Sequence, residues 1–202
     1  EGYPGAVDVR VRYLLTETNE LQVDYEADTD ASTIVNLTQH SYFNLSAGPA
    51  DDVLGHELTL YADGFLPVDA ESIPTGAVAD VPGTPFDFRS PVAIGERIGA
   101  RDPQLQWVGG YDHTFVLRAT TDRLSPAALL FESFSGRTVE IWTTVPGIQL
   151  YSGNKLDGTI VGKHSRRYGK HAGLCLEMQH FPDGPNRPHF PSPVLRRGQR
   201  FR

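Results

Sequence analysis

The sequence has little cysteine and no long apolar run, and each absence excludes a class of protein. Cys175 is the only cysteine among 202 residues, so an internal disulfide is excluded and a reducing, cytoplasmic compartment is expected. No apolar run approaches the length of a bilayer-crossing helix, which argues against a membrane role. Lys and Arg number 18 against 25 Asp and Glu, and the net charge of -7 disfavours a nucleic-acid partner.

Motifs for cofactors, metals and covalent catalysis are also missing. The chain has no GxxxxGK[ST] phosphate loop, no GxGxxG between a strand and a helix, and no GxSxG nucleophile elbow. Its seven histidines lack the close spacing typical of metal ligands, and a single cysteine leaves few thiolate options. We therefore expect neither a cofactor nor a metal, and the chemistry that remains is proton transfer.

Alternating apolar residues predict β-strands along most of the chain. Residues 7–15 alternate over nine positions, which predicts a half-buried strand, and residues 21–27 resume the alternation to complete an antiparallel hairpin. Further short strands are predicted at 34–37, 58–61, 114–117, 128–131, 138–144, 148–152 and 174–179. Only residues 92–98 suggest a helical turn. Many short strands separated by Gly and Pro indicate a single all-β domain over residues 1–202, a sandwich or a barrel.

His40 is the first candidate for chemistry, within the stretch NLTQHSYFNL at residues 36–45. An imidazole titrates near neutrality, so it can give and take a proton at physiological pH. The alternative is a histidine whose ring is satisfied within the face of a strand.

Glu177 is the second candidate, on the predicted strand at residues 174–179. Period two places it on one face with Cys175 and Gln179, and partly apolar surroundings would raise its pKa and make it a better base. The alternative is a solvent-facing residue, because the leucines of this strand would then point inward. We interpret Cys175 as a packed strand residue rather than a nucleophile.

Two more polar positions suit the hydroxyls of a sugar. Asp112 and His113 follow a glycine pair and Tyr111, and a charged acceptor beside an aromatic ring matches a sugar's mixed surface. The alternative for Asp112 is the capping of a local turn. Gln149 follows a Pro-Gly turn and offers both a donor and an acceptor, but it is equally consistent with an exposed strand glutamine.

Together these segments resemble the aldose 1-epimerase family, also called galactose mutarotases. The likeness begins at EGYPG, residues 1–5, and covers essentially the whole chain, including residues 110–113 and 146–154. Its most specific parts are the segment of His40 at residues 36–45 and the segment of Glu177 at residues 176–193. Shorter matches lie at 19–21, 66–68 and 84–88. The resemblance implies a large antiparallel β-sandwich, acting as a monomer or a homodimer.

The resemblance also implies a role for each candidate. His40 would be the general acid and Glu177 the general base, while Asp112 and Gln149 would bind hydroxyls of a hexose such as galactose or glucose. The reaction would interconvert the α and β anomers by opening and reclosing the sugar ring. It implies no cofactor, because the intermediate is a neutral open-chain aldehyde.

The chain departs from the family's pattern at one end. No segment matches the family's N-terminal third, which includes an Asn-Arg pair and a second histidine that help to hold the sugar. We therefore expect the chain to be the C-terminal two-thirds of such a domain, whose activity depends on the missing part. Smaller departures lie at Gln39, Thr114, Met178 and Gly184.

Two other functions remain open. A hexose-6-phosphate epimerase would need a basic residue for the phosphate, and none lies inside the three core segments, although Arg89 or Arg101 could supply one. A non-catalytic sugar-binding module would keep the fold without the chemistry. The presence of both His40 and Glu177 argues against that module, whereas the unmatched N-terminal third argues for it.

Overall fold

The computed structural model describes residues 2–46, 52–118, 123–162 and 165–202. The chain divides into two compact units, one formed by residues 1–39 with 184–202 and the other by residues 40–183. Within the described ranges, no helix combines the length and the apolar character needed to cross a membrane.

The first unit is built on the predicted hairpin. Strand β1 (Val7–Leu15) pairs antiparallel with β2 (Leu21–Thr29). A second short sheet pairs β3 (Thr33–Ile34) with β14 (Val194–Leu195), and a 3-10 turn covers Gly184–Asn186. The buried side chains at the centre of the small apolar cluster are Ala27, Val35 and Leu195.

The prediction that β1 is half-buried is wrong. Every residue of the strand is exposed, and Val9 and Tyr13 retain 49% and 58% of their surface. Alternation determines which side chains share a face of a sheet. Burial also requires another layer over that face, and the pattern of a single strand does not specify one.

The second unit contains two antiparallel sheets. The four-stranded sheet has the order β11-β10-β5-β8 and consists of β5 (Glu57–Leu60), β8 (Val92–Ala93), β10 (Ser125–Glu132) and β11 (Arg137–Thr143). The six-stranded sheet has the order β4-β13-β12-β9-β6-β7. It consists of β4 (Tyr42–Phe43), β6 (Ala62–Phe65), β7 (Ala79–Asp80), β9 (Asp112–Leu117), β12 (Gly147–Tyr151) and β13 (Leu174–Gln179).

Both sheets of the second unit contribute to one buried core. Leu58 and Leu130 come from the four-stranded sheet, and Phe115, Ile148 and Leu176 come from the six-stranded sheet; each is at most 1% exposed. Two sheets that bury their inner faces in a common core form a β-sandwich. The predicted all-β, antiparallel sandwich is confirmed.

Two short helices belong to the second unit. Helix α1 (Ile94–Arg97) lies within the predicted helical turn. Helix α2 (Pro103–Val108) is not predicted by any apolar pattern, yet its boundary signals are present in the sequence. The side chain of Asp102 caps the helix, Pro103 occupies its first position, and Gly109 ends it in the left-handed conformation. Because α2 ends just before β9, it helps to position the start of that strand.

Strand register gives the six-stranded sheet two unlike faces. Strand β12 pairs with β13 on one side and with β9 on the other. The side chains at 148, 150, 174 and 176 are buried in the core. Successive side chains of a strand point to opposite faces, so the opposite, outer face carries Gln149, Tyr151, Cys175 and Glu177.

Candidate active site

Three neighbouring strands carry the polar side chains of the candidate site on the outer face of the six-stranded sheet. Gln149 on β12 lies between Glu177 on β13 and Thr114 on β9. Tyr151, two residues further along β12, lies between Cys175 and Asp112. Cross-strand neighbours on one face have Cβ atoms about 4.5 to 5.5 Å apart. These side chains therefore meet over a small area.

His40 reaches the same area from the segment that precedes β4. Its Nε2 lies 3.6 Å from Oε1 of Glu177, and its side chain is 52% exposed. Its ring stacks on Tyr42 with 5.3 Å between centroids and meets the ring of Tyr151 edge-on at 6.4 Å. His40 lies outside the strands and is half exposed, so the alternative of a histidine satisfied within a strand face does not hold.

Glu177 is buried, with 8% of its surface exposed, and the solvent-facing alternative is therefore wrong. Strand β13 lies inside the sheet between β4 and β12, so neighbouring strands surround its outer-face side chains. Burial raises the pKa of Glu177; the nearby His40 acts to lower it, and Asp112 acts to raise it further. A carboxylate with a raised pKa is a stronger base when it is ionised.

Asp112, Gln149 and Thr114 form a hydrogen-bonded chain across β9 and β12. The Nε2 of Gln149 donates to Oδ1 of Asp112 at 2.8 Å, and the Thr114 hydroxyl donates to Oε1 of Gln149. The two bonds fix which end of the amide faces Asp112. Burial raises the pKa of Asp112, whereas the bond from Gln149 and the charge of Lys155 act to lower it. Asp112 thus interacts across the sheet rather than only capping a local turn.

The backbone before Asp112 is held by a close packing that the sequence does not reveal. Gly110 has φ of 150°, and a Cβ there would lie 2.8 Å from Oγ of Ser152 and would overlap Oδ1 of Asn154. The Nδ2 of Asn154 donates to the backbone carbonyl of Tyr111 at 2.9 Å, and the amide of Tyr111 donates to Oγ of Ser152 at 2.9 Å. These contacts fix the direction in which the chain enters β9.

His113, the neighbour of Asp112, is not part of the outer face. It is fully buried and contacts Phe65 and Phe86 edge-on. Burial lowers the pKa of His113 to about 4, so the ring is neutral at physiological pH. Its Nδ1 accepts from the amide of Asp112 at 3.2 Å, and its Nε2 lies 3.2 Å from Oε1 of Gln104. Asp112 and His113 are adjacent in the sequence and were considered together, but their side chains lie on opposite faces of the sheet.

Cys175 lies beside the His40–Glu177 pair. As predicted, it is a packed strand residue, and burial is the main cause that raises the pKa of its thiol to about 12. A thiol that stays protonated at neutral pH is a poor nucleophile. Although sequence spacing predicts no metal ligands, Nε2 or Nδ1 of His40, Sγ of Cys175 and a carboxylate oxygen of Glu177 lie within 4.8 Å of one another.

Comparisons with known proteins agree with the fold. The family model described as aldose 1-epimerase matches residues 1–202. Over 201 residues the chain is 46% identical to the galactose mutarotase of Bos taurus, covering 100% of this chain and 57% of that protein. It is 40% identical to the aldose 1-epimerase of Escherichia coli strain K12, covering 100% of this chain and 58% of that protein.

A solved structure gives the same result in three dimensions. The aldose epimerase homologue from C. elegans superposes with a TM-score of 0.87 at 32% identity, covering 99% of this chain and 58% of that one. The chain therefore spans a little over half the length of the relatives that it matches.

Proposed function

Because the chain belongs to the aldose 1-epimerase family, we propose that the protein interconverts the α and β anomers of a free hexose such as galactose or glucose. The observation that carries the proposal is the meeting of an exposed imidazole and a buried carboxylate, with Nε2 of His40 3.6 Å from Oε1 of Glu177. The two sugar oxygens that exchange protons in this reaction are bonded to the same carbon. An acid and a base that act on both must therefore lie within a few ångströms of each other, because each has to reach its own oxygen at hydrogen-bond distance.

Glu177 is the proposed base. Its ionised carboxylate takes the proton of the C1 hydroxyl, while the bond between C1 and the ring oxygen breaks and C1 becomes an aldehyde carbon. The buried position of Glu177 favours this step, because burial raises its pKa and with it the basicity of the carboxylate.

His40 is the proposed acid. Its protonated imidazole gives a proton to the ring oxygen as the ring opens. The aldehyde end then rotates about the C1–C2 bond, and reclosure from the other face returns both protons to their donors. The positive charge of a protonated His40 acts to lower the pKa of Glu177, so the required pair of charge states is mutually stabilising.

Asp112 and Gln149 are the proposed hydroxyl-binding residues. Their side chains are already joined at 2.8 Å, so a sugar meets a prearranged acceptor rather than two mobile groups. The rings of Tyr42 and Tyr151 lie next to His40 and offer flat apolar surface for the C–H groups of a sugar.

Polarimetry on freshly dissolved α-D-galactose tests the proposal, using this chain and a version extended upstream to the length of its relatives. We expect Glu177→Gln and His40→Gln each to slow the catalysed change in rotation by roughly 10²- to 10⁴-fold. The matched control is Glu140→Gln, which makes the same change at an exposed position on β11 and should leave the rate unaltered.

Two outcomes would redirect the proposal. If Glu177→Gln retained the wild-type rate, Glu177 would not be the base. If the folded, extended protein bound galactose without accelerating mutarotation, the protein would be a sugar-binding module that kept the fold.

A phosphorylated hexose is a second candidate substrate, and Lys155 is the observation in its favour. Its ammonium group acts electrostatically on Asp112, so a cation is present beside the proposed sugar site. Comparing turnover of glucose and glucose 6-phosphate in the wild type and in Lys155→Gln decides the question. A preference for the phosphate that Lys155→Gln abolishes supports this candidate, and a preference for the free sugar ends it.

The location and assembly of the protein are also proposals. Cys175 is a free, buried thiol, which is typical of proteins in a reducing compartment, and this supports our proposal of a cytoplasmic location. The single-domain organisation and the monomer or homodimer state stay predictions.

A further inference from the structure

Three residues with different ligand atoms converge at the edge of the candidate site. An imidazole nitrogen of His40, Sγ of Cys175 and a carboxylate oxygen of Glu177 all lie within 4.8 Å of one another, and the His40–Glu177 separation is 3.6 Å. In a tetrahedral zinc site, metal–ligand bonds of about 2.0 to 2.3 Å separate the ligand atoms by roughly 3.3 to 3.8 Å. The measured separations therefore require only a small contraction around an ion.

The chemical types also fit a particular class of cation. Nitrogen, thiolate and carboxylate ligands select zinc and its first-row neighbours over Mg²⁺ and Ca²⁺, which prefer oxygen alone. Three protein ligands with a fourth position open to solvent or substrate are typical of zinc sites that exchange ligands.

Charge and access favour the same conclusion. The carboxylates of Glu177 and Asp112 both act electrostatically on Cys175, so the site has the negative potential that attracts a dication. Cys175 and Glu177 are buried on β13, whereas the side chain of His40 is 52% exposed, so an ion from solvent would approach from the side of His40.

We infer that His40, Cys175 and Glu177 form a binding site for Zn²⁺, and that zinc bound there inhibits the enzyme. Binding releases the thiol proton of Cys175 to water as the Zn–S bond forms. The part of the inference that concerns inhibition rests on the proposed function, because an ion held by His40 and Glu177 removes both from proton transfer. Sugar and zinc would then compete for the same residues.

Cobalt absorption tests the site without depending on activity. The folded, full-length protein is titrated with Co²⁺, and the near-ultraviolet thiolate-to-cobalt band is recorded. We expect the band in the wild type, its loss in Cys175→Ser, and its displacement by one equivalent of Zn²⁺. Because Cys175 is the only cysteine of this chain, loss of the band in that variant assigns the sulfur ligand.

Inhibition is then measured by polarimetry with increasing Zn²⁺. Cys175→Ser should keep the basal rate, because Cys175 has no part in the proposed proton transfers, and should need at least about 10-fold more zinc for half-inhibition. Cys175→Val serves as a second variant that fills the buried space without offering a ligand. EDTA should restore the wild-type rate.

The outcomes separate this inference from the proposed function. A folded wild type that shows no thiolate–cobalt band overturns the zinc site, whatever its activity. Equal zinc inhibition of the wild type and both Cys175 variants also overturns it. A band that depends on Cys175 in a protein without mutarotase activity supports the zinc site while the proposed function fails.

Discussion

Nε2 of His40 and Oε1 of Glu177 lie 3.6 Å apart, although the first side chain is 52% exposed and the second only 10%. The two side chains of this pair thus occupy different environments. The exposed imidazole is open to an incoming sugar, while burial raises the pKa of the carboxyl group and keeps its ionised form basic. This asymmetry leads to the first two predictions.

The fall in rate on the acid side of the pH–rate profile should reflect the pKa of Glu177. Burial raises the pKa of this carboxyl group, and the negative charge of Asp112 contributes to the rise. Because the base must be ionised, kcat/KM should fall on acidification at a pH above the ordinary glutamate range. Asp112→Asn removes one cause of the rise and should move this limb to lower pH, as well as weaken sugar binding. If the acidic limb of the profile stays at the same pH in Asp112→Asn, the charge of Asp112 does not influence the pKa of Glu177.

Glu177→Gln should raise thermal stability at neutral pH while it slows the reaction. A carboxyl group whose pKa is raised in the folded state binds its proton more tightly there, so its ionised form costs stability above the unfolded pKa. The amide has no such cost, and Tm should rise by about 2 to 4 °C for each kcal/mol relieved. The gain should vanish below the unfolded pKa, where both side chains are neutral. Calorimetry at neutral and acidic pH measures the difference, with Glu140→Gln as the control that should not respond.

Thr114 should act as a positioning residue through Gln149. Its hydroxyl donates to Oε1 of Gln149, so Thr114→Val leaves that oxygen without its donor and frees the amide to turn away from Asp112. Losing a partner of a buried polar atom costs about 1 to 3 kcal/mol, and to the extent that this cost falls on sugar binding it raises KM by roughly 5- to 150-fold. Thr114→Ser keeps the hydroxyl and should restore KM. A purely structural role would instead lower the Tm of Thr114→Val and leave KM unchanged.

His113 should make the protein sensitive to mild acid. Burial lowers its pKa to about 4 in the folded state, from an ordinary value of 6.5. The unfolded chain therefore takes up a proton that the folded chain does not, and stability falls as the pH drops from 6.5 toward 4. The full loss over this window is about 3 kcal/mol.

Denaturation midpoints between pH 7 and 4.5 measure this loss. The folded His113→Gln variant has no titrating group at this position and should show a shallower decline. His189→Gln, at an exposed histidine, should decline like the wild type.

Gly110→Ala should destabilise the start of β9. The new Cβ would meet Ser152 and Asn154, whose own hydrogen bonds prevent them from moving away. We expect a loss of several kcal/mol, from the sum of steric overlap and backbone strain. Gly136→Ala is the matched control, because Gly136 also has positive φ, at 69°, but a Cβ there meets nothing within 4 Å. Chemical denaturation of both variants should rank Gly110→Ala as clearly the more damaging.

Local patterns predicted the longer strands of the sandwich but missed β6, a four-residue strand inside the six-stranded sheet. The strand predicted at 34–37 is also wrong in its bounds, because β3 covers only Thr33–Ile34. Residues 174–179 are predicted and observed as β13 with the same bounds, and the hairpin of β1 and β2 follows directly from alternation. Two-residue strands such as β4 and β7 have no detectable period, so a pattern cannot find them. Helix α2 shows a different limit, because Asp102 and Gly109 marked its ends although no apolar stripe marked its body.

The site was less accessible to sequence reasoning, because it depends on contacts between distant strands. Period two correctly placed Glu177 and Cys175 on one face, but it suggested that this face is exposed. The burial of Glu177 arises from neighbours on β4 and β12, which only the sheet order provides. The same holds for the Thr114–Gln149 bond, whose partners are 35 residues apart in the chain.

Because the six-stranded sheet has a core face and a site face, residue numbers along its strands predict the result of a mutational scan. On β12 and β13 the odd-numbered positions, such as 149 and 177, face the site, whereas the even-numbered positions, such as 148 and 176, lie in the core. On β9 the assignment is reversed, since Asp112 and Thr114 face the site and Phe115 lies in the core. In a scan of β12 and β13, substitutions at odd-numbered positions should mainly reduce catalysis and those at even-numbered positions should mainly reduce stability. On β9 the even-numbered positions should affect catalysis and the odd-numbered positions stability.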